Sequence, residues 1–180
     1  VLAGALRAAQ ATEGGATNLV GAWQRAPLQA LARLHALAAA DLVEDVDLGR
    51  PRQSPEVVAR LDLVTRLVTG GSTAPAPVLA AVAHGELLTL APFGSADGVV
   101  ARAVSRLVTI ASGLDPHGLG VPEVFWLRRE DEYRAAAAAV ATGQQDGVGD
   151  WLLLCCRALE DGAREALSIA DAAADQPRTG

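Results

Sequence analysis

APVLAAVAHGELLTLAPFGSADGVVARAVSRLVTIASG, residues 76–113, is the stretch whose reading decides the fold. Two apolar runs at helical spacing, Val78 to Leu90 and Val99 to Ile110, flank the octet Ala91-Pro92-Phe93-Gly94-Ser95-Ala96-Asp97-Gly98. Its glycines, its proline and its two capping-type residues stop one helix and start another at Ser95 or Asp97. Backbone N–H groups and the positive end of the second helix dipole then converge on the loop, an arrangement suited to an anion. On pattern alone the simplest reading is an N-cap between two packed helices.

The same helical period continues outward in both directions. Val1 to Ala11 carries Leu2, Leu6 and Ala9 on one side and stops at Thr12-Glu13-Gly14-Gly15. Leu19 to Trp23 follows, then Ala26 to Ala40, with Leu28, Leu31, Leu34 and Leu37 on one face and Pro27 in the first turn. Ser54-Pro55-Glu56 opens Val57 to Thr69 as N-cap, N1 proline and first-turn acid. Pro122 starts Glu123 to Ala141, and Asp150 is read as the cap of a last long helix. No segment alternates polar and apolar residues, so the expected fold is all-α. The expectation is a single-domain bundle of about seven or eight helices, divided as an N-terminal helix over 1–15, a helical domain over 16–172 and a flexible tail over 173–180.

Composition removes several function classes. The chain is 51% hydrophobic, but no run of eighteen apolar residues lacks a charge or glycine, so no membrane span is expected. Nothing in it resembles a signal peptide; a cytoplasmic location is the default expectation, with room for a removed piece upstream of Val1. All fifteen basic residues are Arg, which leaves no lysine for a Schiff base or a Walker-type phosphate grip. A net charge of −6 and 3% aromatic residues argue against a nucleic-acid partner. Cys155 and Cys156 are neighbours in an apolar helical run and point about 100° apart. They read as small buried hydrophobes, with no metal set around them. His35, after Leu34, reads as a packing residue, and His117, between Pro116 and Gly118, as a solvated one.

His84-x-x-Leu87-x-x-Leu90-Ala91-Pro92-Phe93-Gly94-Ser95-Ala96-Asp97-Gly98-Val99-x-x-Arg102 resembles the signature of the Fic (Fido-fold) family, H-x-x-F-x-x-I-H-P-F-x-[D/E]-G-N-G-R-x-x-R. His84, Pro92, Phe93, Gly98 and Arg102 fall in register. The resemblance implies a helical domain in which the loop would receive the phosphates of ATP with Mg²⁺ and pass an adenylyl group to a protein hydroxyl. The reactive positions depart from it. Ala91 stands where the family has its catalytic His, Ser95 where it has the Mg²⁺-binding carboxylate, and Val99 where it has the first phosphate Arg.

What the resemblance therefore implies is a non-catalytic Fic-like module that binds or regulates, with no catalytic residue, metal or cofactor. The expected partner is an unidentified protein, or a second copy of the chain through its apolar helices. The alternative is a residual nucleotidyl or phosphoryl transferase using ATP and Mg²⁺. Ser95, Asp97, Gly98 and Arg102 would be a vestigial anion site. Asp97 would supply the charge that a phosphate otherwise brings, leaving Arg102 to pair with Asp97 or Glu13. Glu13-Gly14 is similar to the end of the inhibitory helix of some Fic proteins, although Ala9 replaces its hydroxyl residue. Gly49-Arg50-Pro51-Arg52 is similar to the stretch before the family's substrate-clamping flap, for which too few residues follow. A Ser95–His84–Asp97 hydrolase triad is disfavoured, because His84 lies almost two helical turns before the loop.

Overall fold

A computed structural model describes residues 1–13 and 19–174. Among them the regular structure is helical throughout, with no strand. The helices are α1 (Leu2–Thr12), α2 (Leu19–Arg25), α3 (Pro27–Ala39), α4 (Pro55–Val68), α5 (Ala76–Leu90), α6 (Asp97–Ala111), α7 (Pro122–Arg128), α8 (Glu130–Val140) and α9 (Gln145–Ala174), with one 3₁₀ turn at Asp45–Asp47. None is long and apolar enough to cross a membrane among the described residues. The chain groups into two compact units, Val1–Gly118 and Leu119–Gly180.

The first unit is built around α5 and α6. Neither helix has an exposed residue, because α5 is mostly apolar, with Glu86 paired to Arg60 of α4 at 2.7 Å, and α6 carries Val99, Val100, Val104, Leu107 and Val108 into the core. α1, α2 and α3 pack on α6, and α4 packs on α5. Trp23 from α2, Leu31 and Leu34 from α3 and Val57, Leu61 and Val64 from α4 close the core around the central pair. α4 begins as its sequence dictates. Ser54 Oγ accepts the Val57 N–H at 3.2 Å, with Pro55 where a missing N–H costs nothing. Between α3 and α4 the described chain has turns, the 3₁₀ turn and irregular residues, with no strand and so no hairpin.

The second unit is α7, α8 and α9. Its buried side chains include Phe125, Trp126, Trp151, Leu154, Cys155 and Ala158. Two expectations fail here. The single helix expected over 123–141 is broken at Arg129 (φ −128°, ψ 45°), which raises the helix count to nine among the described residues. In one unbroken helix Trp126 and Tyr133 would lie about 10.5 Å apart along the axis. The break brings their ring centroids to 5.6 Å, with Tyr133 also 5.7 Å from Trp151. The last helix starts at Gln145, not at Asp150. Gly147 allows this. A Cβ there would stand 2.6 Å from the Ala139 carbonyl oxygen, so the missing side chain lets α9 begin hard against α8.

Candidate functional site

The α5–α6 loop is fastened by residues that are remote from it in sequence. α5 ends because Ala91 turns left-handed (φ 45°, ψ 60°), and Gly94 and Ala96 take the same sign of φ, 75° and 51°. Gly94 bears this freely, whereas each alanine costs about 1–2 kcal/mol. Arg52 offsets that cost. Its N–H donates to Pro92 O at 2.8 Å, and its guanidinium donates to Leu90 O at 2.7 Å and Ala91 O at 2.9 Å. A cation thus sits on the last carbonyls of α5, where the helix dipole favours it.

His35 holds the other side of the loop. It is 1% exposed, and its ring stacks on Phe93 at 4.1 Å between centroids with planes 5° apart. Nδ1 accepts the Gly49 N–H at 2.9 Å, so the proton of the neutral ring resides on Nε2, which donates to Ser95 Oγ at 2.9 Å. Gly49 makes this possible. Its φ is +72°, and a Cβ would lie 2.8 Å from Ala32 O. Burial lowers the His35 pKa, with Asp97 and Ser95 pulling the other way.

Asp97 starts α6 but turns its carboxylate back into the loop. Oδ1 accepts the Phe93 N–H at 2.9 Å, and the Gly94 N–H also stabilises the anion. Burial nevertheless raises the Asp97 pKa, against the opposing pull of these two N–H groups, His35 and Arg52. The expected Asp97–Arg102 and Glu13–Arg102 pairs are not formed. Asp97 is used up on loop N–H groups, and Glu13 is an exposed residue at the end of α1. Among the described residues the Arg102 guanidinium makes no ion pair or hydrogen bond; it lies 3.4 Å from where a Gly98 Cβ would stand, one turn back on α6. Beside it is His84, fully buried in α5, whose pKa falls to about 3 through burial first and the Arg102 charge second.

The imagined triad is therefore replaced by a different geometry. Ser95 bonds His35 instead of His84, and His35 meets it with a donor. A ring nitrogen that already carries a proton cannot take one from the serine hydroxyl, so Ser95 has no base. Ala91 offers a methyl group. Among the described residues no set of three His, Cys, Asp or Glu side chains is placed to hold a metal ion.

Ser95, Asp97, Gly98 and Arg102 lie in or just after the α5–α6 loop, and the residues that fasten it from elsewhere, His35 and Arg52, were not singled out by the sequence. The signals were present, in a histidine on an apolar helix face and in Gly49-x-x-Arg52. Neither shows which loop it reaches. No family model matches the chain, and no curated protein or solved structure matches it significantly.

Proposed function

We propose that this chain carries a degenerate Fic-like helical domain that works as a non-catalytic binding or regulatory module. One observation carries the reading. The loop that would handle a nucleotide spends its polar groups on the protein itself: Ser95 on His35, and Asp97 on the Phe93 and Gly94 N–H groups. A fixed carboxylate at the start of α6 stabilises that helix by about 0.3–1 kcal/mol and repels an incoming phosphate. Loss of a positioned base costs a transfer reaction about 10²- to 10⁴-fold.

One observation favours a second reading, a residual nucleotidyl or phosphoryl transferase. The Arg102 guanidinium has no anionic partner among the described residues, although it stands at the positive end of α6 beside Gly98. An arginine so placed is available to a phosphate. Calorimetry with ATP and ADP, with and without Mg²⁺, separates the two. The module predicts no Mg²⁺-dependent heat and no transfer of label from α-labelled ATP to protein. Micromolar, Mg²⁺-dependent binding abolished by Arg102→Gln would establish the transferase reading instead.

A further inference from the structure

Residues 119–180 carry eleven Asp and Glu against six Arg, yet four of those six line two adjoining clefts between α7 and α9. The larger has a volume of about 560 Å³ and the smaller about 300 Å³. Arg128 approaches from the end of α7, Arg129 from the break that follows it, and Arg157 and Arg164 from α9. Three acids share the clefts with them, Glu160, Asp161 and Glu165, so the lining itself holds more guanidiniums than carboxylates, and a fourth acid, Glu132, meets Arg129 from outside it.

The guanidiniums are placed but weakly held. Arg128 pairs with Glu165 at 3.1 Å and Arg129 with Glu132 at 3.3 Å, with side chains 66% and 55% exposed. Arg164, 68% exposed, is shared between Glu160 and Asp161. Ion pairs so open to water contribute little, and each arginine can turn to a better acceptor. Arg157 makes no ion pair or hydrogen bond among the described residues and opens onto the smaller cleft. Arg129 is steadied by the Phe125 ring, 4.9 Å beneath it, which fixes its direction without using its N–H donors. Ser168 adds a hydroxyl to the lining of the larger cleft.

We propose that the α7–α9 clefts form a binding site for a compact, multiply charged small anion bearing phosphate or carboxylate groups. Two or more guanidiniums converging on one cavity match an ion that presents several oxygens at once. A volume of about 560 Å³ admits a small metabolite-sized ion. The chain's net charge of −6 turns away extended polyanions, leaving the short-range site to compact ones. The site lies within α7, Arg129 at its end, and α9, and includes no residue of the α5–α6 loop.

The test is calorimetric titration of the full chain, at low ionic strength, with inorganic pyrophosphate and separately with citrate. The expected result is saturable binding of at least one of them with a Kd of roughly 1 mM or tighter. Tighter pyrophosphate binding assigns a phosphate ligand, and tighter citrate binding a carboxylate one. Two double variants at exposed positions, R157Q/R164Q and R128Q/R129Q, are checked for native helicity by circular dichroism. At least one of them should weaken binding about tenfold, whereas Arg102→Gln should leave it unchanged. The proposal is overturned if neither ion saturates, if both folded double variants bind like the parent, or if binding disappears with Arg102→Gln.

Discussion

The Nε2 of His35 donates to the hydroxyl of Ser95 across 2.9 Å, joining α3 to the α5–α6 loop over sixty residues of chain. The bond is one of three contacts from a single ring, the others being the Gly49 N–H on Nδ1 and the stack on Phe93. His35→Ala should therefore cost about 3 kcal/mol, combining a lost buried volume with an orphaned N–H. Ser95→Ala should cost about 1 kcal/mol. Urea unfolding of both single variants and the double should give a coupling energy of about 0.5–3 kcal/mol, as expected for residues in one network. Strict additivity would show that the bond does not hold the loop.

Ala91 and Ala96 both sit in the left-handed region. Replacing either with glycine relieves about 1–2 kcal/mol of steric cost while adding about 0.5–1 kcal/mol of chain entropy to the unfolded state. A net gain of about 0.5–1 kcal/mol is expected for each, read as a higher urea midpoint with an unchanged slope. A lowered midpoint for both would contradict the loop conformation described.

Gly49 and Gly98 should respond to alanine with opposite signs. At Gly49 the positive φ and the Ala32 carbonyl oxygen at 2.8 Å leave no room, so Gly49→Ala should destabilise by about 2–3 kcal/mol. At Gly98 the nearest atom is the end of the Arg102 side chain at 3.4 Å, which can move. Gly98→Ala then gains helix propensity of about 0.5–1 kcal/mol. Thermal melts of the two variants decide the matter.

Acid should weaken the fold in a defined window. His35 and His84 both have pKa values lowered from 6.5 by burial, His84 to about 3. Below pH 6.5 the unfolded chain takes up protons that these native rings refuse, so stability falls as pH falls. The His84 part of that loss approaches roughly 1.4 kcal/mol per pH unit until the ring protonates near pH 3. Asp97 acts in the opposite sense. Its raised pKa means that the native state gains its proton first, which returns some stability at the acid end. Urea unfolding at pH 7, 6 and 5 should show a falling free energy, and a flat profile would mean that both rings are solvated.

Cys155 should be chemically silent in the native protein. Burial first and the neighbouring Cys156 second push its thiol pKa up to about 12, so almost no thiolate exists at pH 8. Mass spectrometry after brief iodoacetamide treatment should find Cys155 unmodified until denaturant is added. Labelling in the native state would mean that the face of α9 carrying it opens readily.

The residues alone determined that the chain is helical and which helices lie at the centre of the first unit, because helical period, proline starts and glycine stops act over a few residues and can be read locally. The apolar runs on either side of residues 91–98 did become the buried pair, and Ser54 does cap α4. The breaks in the second unit were not legible. Nothing local interrupts the chain at Arg129 or forces a start at Gln145; ring packing and a close approach to Ala139 do. The same holds for the loop. That His35 would meet Ser95, that Arg52 would cover the end of α5, and that Asp97 would pass over Arg102 depend on how helices distant in sequence lie together. Side chains find such partners only when a packed core has fixed their directions, which is why tertiary structure decided the chemistry of a loop whose ends the sequence had already marked.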